Sequence, residues 1–290
     1  MLNFPVVSLE LLDSKNRKLS MRAMKKTPPV SQSLCIGICA LFLFLLSTAK
    51  LPAQAVAVHE PTPMARLQSD WWAERHQAVL ERVKACPEAQ LLLLGDSITN
   101  NYEKNHLPDE NFQPTWNQFY APRKAINLGF SGDTTSNVLW RIDHGELEGL
   151  HPKVVILLIG TNDTSIGHET AEETEAGIHA VVADLEQKLS TTHILLLGIL
   201  PSNISPEKTA VDQAVNLYLS SHYAKNQRVT FLDIGAIFYR NGVLDTQLFY
   251  DPRLPQPRPA LHPDTKGQRR MAEAIEPTLV ALMGEIPKTM

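Results

Sequence analysis

Four short polar stretches, far apart in the chain, together hold the residue types that acyl transfer from an ester requires. In chain order they are Gly95-Asp96-Ser97-Ile98, Gly129-Phe130-Ser131-Gly132-Asp133, Gly160-Thr161-Asn162-Asp163 and Leu261-His262-Pro263. A serine can act as nucleophile, a histidine as its base, and a glycine N–H and an asparagine amide as donors to an oxyanion. Each stretch alone carries little weight, because small polar turns after apolar segments are common. Their combination predicts a serine esterase site.

Ser97 and His262 are the candidate nucleophile and base. Ser97 follows a run of four leucines and precedes a segment that can start a helix, which predicts a hydroxyl at the end of a strand. Taken alone, Ser97 is better explained as an N-cap residue. His262 would take the Ser97 proton and return it to the leaving alcohol. The G-x-S-x-G turn of the α/β-hydrolases does not occur in the sequence.

The predicted oxyanion donors are the N–H groups of Ser97 and Gly132 and the side-chain amide of Asn162. A glycine at position 132 would let its N–H approach a ligand closely. Asn162 is otherwise explained by an Asx-turn or a helix cap. Gly129, in the same turn as Gly132, is interpreted as a plain turn residue.

Five short apolar runs without alternation predict strands that are buried on both faces of a parallel sheet. These runs are Gln90–Leu94, Ala125–Leu128, Val154–Ile159, His193–Leu197 and Val229–Leu232. Amphipathic segments with helical spacing alternate with them, at Trp71–Lys84, Thr134–Asp143, Thr170–Leu189, Ala210–Lys225 and Thr265–Met283. The alternation predicts an α/β fold, a three-layer α/β/α sandwich around a five-stranded parallel sheet. The Ser, Gly and Asn motifs each follow a strand, so all should open onto one edge of that sheet.

The first 55 residues are predicted to be a cleavable signal peptide. Six basic residues between positions 15 and 26 precede an apolar run, Leu34–Leu46, which is too short to span a bilayer comfortably. Ala53-Gln54-Ala55 offers an A-x-A cleavage signal, so cleavage near Ala55 and a secreted or periplasmic location are expected. An uncleaved anchor is the alternative, and translation from Met21 or Met24 would shorten the basic region.

Composition argues against several kinds of partner. Residues 1–55 contain seven of the 27 Lys and Arg but two of the 31 Asp and Glu, so the remainder has a formal charge of −9. Without a basic patch, a nucleic-acid partner is not expected. Cys86 is the one cysteine after residue 55, so no intrachain disulfide is expected there. No His/Cys/Asp/Glu group has metal-ligand spacing, and neither a metal nor a cofactor is predicted.

The chain resembles the SGNH (GDSL-type) hydrolases, with Ser97, Gly132, Asn162 and His262 at the four name-giving positions. It is most similar to the platelet-activating-factor acetylhydrolase subunit branch, through the stretch from Asn127 to Leu147 and Lys153. The resemblance covers roughly residues 88–283 and implies a flavodoxin-like sandwich. Residues 56–65, which are polar and contain proline, are expected to be a flexible mature N-terminus, followed by a single hydrolase domain over 66–286.

The sequence departs from the family at the acid that should orient His262. The resemblance implies an acid three residues before the histidine, where this chain has Pro259. Asp251 would take that role if residues 252–259, with four prolines, are an insertion whose loop turns back. The rivals are Asp264, which also suits an N-cap of the last helix, and a Ser–His pair assisted by a backbone carbonyl.

The remaining charged residues near the motifs receive less specific interpretations. Asp96, Asp133 and Asp163 are expected to organise loops as hydrogen-bond acceptors. Trp140 and Arg141 are expected to be packing and surface residues. Arg253 and Arg258, in the Pro-rich stretch, are interpreted as solvated charges, with substrate contact as the alternative.

The sequence predicts a secreted, metal-independent carboxylic ester hydrolase working through a Ser97 acyl-enzyme. The resemblance suggests a short acyl group, acetyl first, on a carbohydrate or lipid-like alcohol. A thioesterase or phospholipase acting through the same site is one alternative. A glycan-binding module that has lost catalysis is another. No membrane insertion is expected after signal cleavage, and the oligomeric state is left open.

Overall fold

The central feature of the fold is a five-stranded, all-parallel sheet. The computed structural model describes residues 62–106 and 110–286. The strands are β1 (Leu91–Gly95), β2 (Asn105–His106), β3 (Glu110–Asn111), β4 (Ala125–Gly129), β5 (Val154–Leu158), β6 (His193–Leu197), β7 (Val229–Leu232), β8 (Tyr239–Arg240) and β9 (Val243–Leu244). The main sheet has the order β4-β1-β5-β6-β7, and the other four strands form two short antiparallel pairs. Each predicted run overlaps one strand of the main sheet, with Gln90 and Ile159 just outside β1 and β5, and the predicted fold class is confirmed.

Helices cover both faces of the sheet. They are α1 (Asp70–Ala85), α2 (Ser97–Asn100), α3 (Gln113–Phe119), α4 (Thr135–Asp143), α5 (Thr161–Ser165), α6 (Ala171–Lys188), α7 (Pro206–His222) and α8 (Thr265–Met283). Helix α7 starts four residues before its predicted start, because the Ser205 side chain accepts a hydrogen bond from the Lys208 N–H and Pro206 occupies the first turn. Helices α2, α3 and α5 were not predicted, since helices of four to seven residues show too little periodicity.

Alternate residues of each strand enter two separate cores. Leu92 and Leu94 pack with α1, α4, α6 and α7 on one face of the sheet. Leu91 and Leu93 pack with α3 and α8 on the other face. Because side chains of a strand point alternately to its two sides, a run of leucines fits only a strand covered on both faces.

The predicted signal peptide, its cleavage near Ala55 and residues 56–61 lie outside the described residues. Just before the domain, the Met64 N–H donates to the Ser136 carbonyl at 3.0 Å, and the Asn137 amide donates to the Met64 carbonyl at 2.8 Å. Within the described part of the chain, no helix is both long and apolar enough to cross a bilayer.

Candidate active site

Ser97 lies at the first turn of α2, directly beyond the end of β1. The N-cap of this helix is Asp96, whose Oδ1 accepts a hydrogen bond from the Ile98 N–H at 2.9 Å. The capping role that could have explained Ser97 is therefore filled by its neighbour. The Ser97 hydroxyl points instead at a histidine from the far end of the chain.

Ser97, His262 and Asp251 form a continuous line of contacts. The Ser97 Oγ lies 2.8 Å from His262 Nε2, and His262 Nδ1 lies 2.8 Å from Asp251 Oδ2. All three residues are buried, with exposed fractions of 5%, 9% and 3%. This arrangement can pass a proton from the hydroxyl to the imidazole while a carboxylate holds the ring in orientation.

The Pro-rich segment between Asp251 and His262 is closed at its base by backbone hydrogen bonds. The Tyr250 N–H donates to the His262 carbonyl at 3.0 Å, and the Asp264 N–H donates to the Leu248 carbonyl at 2.8 Å. These bonds make a short antiparallel pairing that brings residue 251 beside residue 262 despite the intervening loop. The rival acid, Asp264, caps α8 by accepting from the Gly267 N–H at 2.7 Å.

Gly132 and Asn162 lie on adjacent turns that are joined by a hydrogen bond. Gly132 has a φ of +81°, a conformation that favours glycine. The Asn162 amide donates to the carbonyl of the next residue, Asp133, at 2.8 Å, and an amide group has a second hydrogen for another acceptor. A Cβ on residue 132 would lie 3.1 Å from the Arg66 guanidinium, so this turn is closely packed.

The same glycine turn is tied to the turn that carries Ser97. The Phe130 N–H donates to the Gly95 carbonyl at 3.0 Å, and the Ser131 hydroxyl donates to the Asn100 amide oxygen at 2.9 Å. Gly129 is close to α2, because a Cβ there would lie 2.3 Å from the Asn100 nitrogen. The structure thus gathers the Ser, Gly and Asn motifs at one edge of the sheet.

A buried ionic cluster holds these turns from below. Asp133, which has no exposed surface, accepts hydrogen bonds from Trp72 Nε1 at 2.8 Å, Arg66 Nη1 at 3.1 Å and Arg141 Nε at 2.8 Å. Arg141 also pairs with Glu146 and donates to the Leu128 carbonyl at 3.2 Å. Asp133 therefore organises its loop as an acceptor, in the way that its position in the motif suggested.

The expectation of a surface position for Arg141 is wrong, because its side chain is completely buried. The reason lies in its place on α4, where Val138 and Ile142 also face the core. Positions 138, 141 and 142 share one face of a helix. That spacing was the signal in the sequence that could have identified a buried arginine.

Arg253 is the second charged residue whose environment differs from the expected one. Its guanidinium is half exposed, but it forms two hydrogen bonds with the Asp251 carboxylate, from Nε at 2.8 Å and from Nη2 at 2.7 Å. It is thus an ion-pair partner of the acid beside His262 as well as a half-solvated charge. Arg258 is exposed, and its guanidinium lies 5.6 Å from the centre of the Tyr250 ring.

Two carboxylates close to the site residues are buried, and each has one oxygen without a hydrogen-bond partner. Asp96 Oδ2 and Asp163 Oδ2 have no hydrogen-bond partner. Burial raises the pKa of Asp96 to about 7, against the opposing effect of its hydrogen bond from Ile98. Burial also raises the pKa of Asp163, although that carboxylate accepts two hydrogen bonds from Thr135. The folded state therefore favours protonated carboxyl groups here.

Replacing Asp96 with asparagine is expected to reduce the loss of stability as pH rises. Between the ordinary aspartate pKa and about 7, the folded protein holds a proton at Asp96 that the unfolded chain has released. From pH 4 to pH 8, the free energy of unfolding of the wild type should thus decrease by about 2–4 kcal/mol more than that of Asp96→Asn. Urea unfolding across this range measures the difference. Asp70→Asn, which changes an exposed carboxylate, is the control and should track the wild type.

No group of three or more His, Cys, Asp or Glu side chains within residues 62–106 and 110–286 is arranged to hold a metal ion. The chemistry available at the site is that of the hydroxyl, the imidazole, the carboxylate and the surrounding N–H groups.

Comparison with known proteins identifies the family of the chain. Residues 93–270 match the model of the GDSL-like Lipase/Acylhydrolase family. The chain is 30% identical over 222 residues to platelet-activating factor acetylhydrolase IB subunit alpha2 of Rattus norvegicus, an alignment that covers 76% of this chain and 88% of the relative. It is 29% identical to the alpha1 subunit of Homo sapiens over 78% of this chain and 90% of the relative.

A solved structure shares the fold at lower sequence identity. The GDSL-like lipase of Bacteroides thetaiotaomicron superposes with a TM-score of 0.51 and 21% identity, covering 73% of this chain and 97% of that one. The family match spans more than half of the chain, from the strand before Ser97 to a position beyond His262. The chain therefore belongs to the GDSL-like lipase/acylhydrolase family, the SGNH hydrolases, and is a carboxylic ester hydrolase.

Proposed function

We propose that this enzyme removes a short acyl group, acetyl first, from a carbohydrate or lipid-like alcohol through an acyl-enzyme on Ser97. The observation that carries the proposal is the buried line of two 2.8 Å contacts from Ser97 Oγ through His262 to Asp251. The 30% identical relative, whose name describes an acetylhydrolase, supports the short acyl group.

The reaction follows from the positions of these groups. His262 Nε2 accepts the Ser97 proton as Oγ attacks the ester carbonyl, and the carbonyl electron pair moves onto its oxygen. The N–H groups of Ser97 and Gly132 and the Asn162 amide stabilise this oxyanion. When the oxyanion collapses, the bond to the alcohol breaks and His262 returns the proton to the leaving oxygen. Water then attacks the acyl-enzyme by the same route and releases the acid.

Asp251 keeps the imidazole oriented and stabilises its protonated form. Burial opposes ionisation of this carboxyl, but the His262 ring 2.8 Å away and the hydrogen bonds from Arg253 outweigh it and hold the pKa of Asp251 well below its usual range. The carboxylate thus remains charged wherever an imidazole can act as base. The alternative of a binding module without catalysis depended on the lack of an acid beside His262. Asp251 lies beside His262, so the alternative loses this support.

The name of the relatives also favours a lipid-like alcohol as a second candidate for the leaving group, since they are named after platelet-activating factor. Export is a further part of the proposal, and it is supported by the basic and apolar segments before Ala55. Location outside the cytoplasm would suit either an acetylated glycan or a lipid-like substrate.

The direct test measures chain-length preference and the site of acylation together. With p-nitrophenyl esters, kcat/KM is expected to fall at least tenfold from the acetate to the octanoate, and Asn162→Ala should lower kcat for the acetate by roughly 10²–10³. A fluorophosphonate probe should label Ser97 in the wild type and leave Ser97→Ala unlabelled.

Each contrary result identifies a different error. Preference for the octanoate would indicate a lipase, and preference for an acetyl thioester over the oxygen ester would indicate a thioesterase. Absence of labelling would support a binding module. Release of acetate from acetylated oligosaccharides, compared with acetylated lipid alcohols, then distinguishes the two leaving groups.

A further inference from the structure

The loop between Asp251 and His262 carries an arginine, Arg253, that pairs with the Asp251 carboxylate. Asp251 Oδ1 accepts from both the backbone N–H and the Nε of Arg253, each at 2.8 Å. Asp251 Oδ2 accepts from Arg253 Nη2 at 2.7 Å and lies 2.8 Å from His262 Nδ1. The guanidinium and the imidazole therefore share one carboxylate oxygen.

We propose that Arg253 is a positioning residue for acyl transfer, which fixes the Asp251 carboxylate and partly neutralises the charge that His262 experiences. The proposal rests on the proposed function, because it concerns the base of that reaction. A guanidinium that forms two parallel hydrogen bonds with a carboxylate prevents its rotation and leaves Oδ2 directed at the imidazole.

The electrostatic consequence has a definite sign. A carboxylate stabilises the imidazolium that forms when His262 accepts the serine proton, and a nearby guanidinium opposes that stabilisation. Removal of the guanidinium should therefore leave the Asp251 carboxylate freer to stabilise the imidazolium that forms during acyl transfer. Because Arg253 is half exposed, water and salt reduce this effect.

Among residues 62–106 and 110–286, three further charged groups bear on this pair. Glu110 on β3 acts on Arg253 and stabilises its positive charge. Glu110 itself is paired with Lys104 at 2.6 Å. Arg258 belongs to the same loop as Arg253 but contacts the Tyr250 ring. In the described part of the chain, Arg253 thus contacts the Asp251 carboxylate directly, and Arg258 provides a matched arginine without that contact.

The test compares pH profiles of kcat/KM for p-nitrophenyl acetate in the wild type, Arg253→Ala, Arg253→Lys and Arg258→Ala. In Arg253→Ala the midpoint of the acid limb should move up by about 1 pH unit, so that activity falls more at pH 6 than at pH 9. Arg253→Lys retains the charge and should restore the midpoint, with a lower kcat because the paired hydrogen bonds are lost. Arg258→Ala should match the wild type.

An acid-limb midpoint that stays or falls in Arg253→Ala overturns the proposal, whether or not activity drops uniformly. A shift of equal size in Arg258→Ala does so too, since it would indicate a general charge effect of the loop. NMR titration of the His262 ring in the wild type and Arg253→Ala provides a readout that does not require turnover. Failure of the proposed function is distinguishable, because the wild type would then show no Ser97-dependent hydrolysis at any pH.

Discussion

Alanine at position 97 or 262 is expected to lower kcat for p-nitrophenyl acetate by roughly 10⁴-fold or more while the fold stays intact. Each change removes one end of the 2.8 Å contact between the Ser97 hydroxyl and the His262 ring. The double variant should lose little more than either single variant, because a nucleophile and its base act as one unit. Asp251→Asn should also lose well above tenfold, since the ring loses its charged partner.

Steady-state kinetics and circular dichroism of the same samples test this expectation. Ser221→Ala and His151→Ala, which change an exposed serine and an exposed histidine, are matched controls and should retain full activity. A Ser97→Ala enzyme within tenfold of the wild type would mean that another group is the nucleophile.

Replacing Arg141 with methionine is expected to lower the free energy of unfolding by about 3–5 kcal/mol. The change removes the partner of Glu146 and one of the partners of Asp133, and both carboxylates have no exposed surface. Burial raises the pKa of Glu146 to about 7 even with Arg141 present, and loss of the arginine should raise it further. The folded state would then hold a proton that the unfolded chain releases, so the deficit should grow from pH 5 to pH 8.

Urea unfolding at the two pH values measures the effect. Arg82→Met removes a partly exposed pair with Glu103 and should cost less than about 1 kcal/mol. Adding Glu146→Gln to Arg141→Met should recover part of the loss, since one unpaired buried charge is removed. If Arg141→Met lost the same unfolding free energy at both pH values and Glu146→Gln recovered none of it, lost packing alone would explain the effect.

Sequence patterns predicted the sheet because the signal for buried strands is local. Leu91–Leu94 and Val154–Leu158 are apolar without alternation, and only strands covered on both faces accommodate such runs. The same local patterns separated the strands from the longer helices. They failed at α2, α3 and α5, whose four, seven and five residues are too few to show a clear period.

The sequence by itself determined which chemical groups were available and at which edge of the sheet they had to lie. The carboxyl ends of parallel strands lie at one edge, so the turns carrying Ser97, Gly132 and Asn162 had to open onto the same edge. The strand order β4-β1-β5, which makes these turns neighbours, came from the structure. The partner of His262 could not be chosen in this way, since Asp251 and Asp264 were both compatible with the spacing.

Only the tertiary structure decided between these carboxylates and revealed the cations that pair with them. Two backbone hydrogen bonds, from Tyr250 to His262 and from Asp264 to Leu248, close the Pro-rich loop and bring Asp251 to the imidazole. The ion pairs of Arg253 and Arg141 likewise depend on how a loop or a helix packs. Such contacts are set by the path of the whole chain, which residue types and local spacing do not specify.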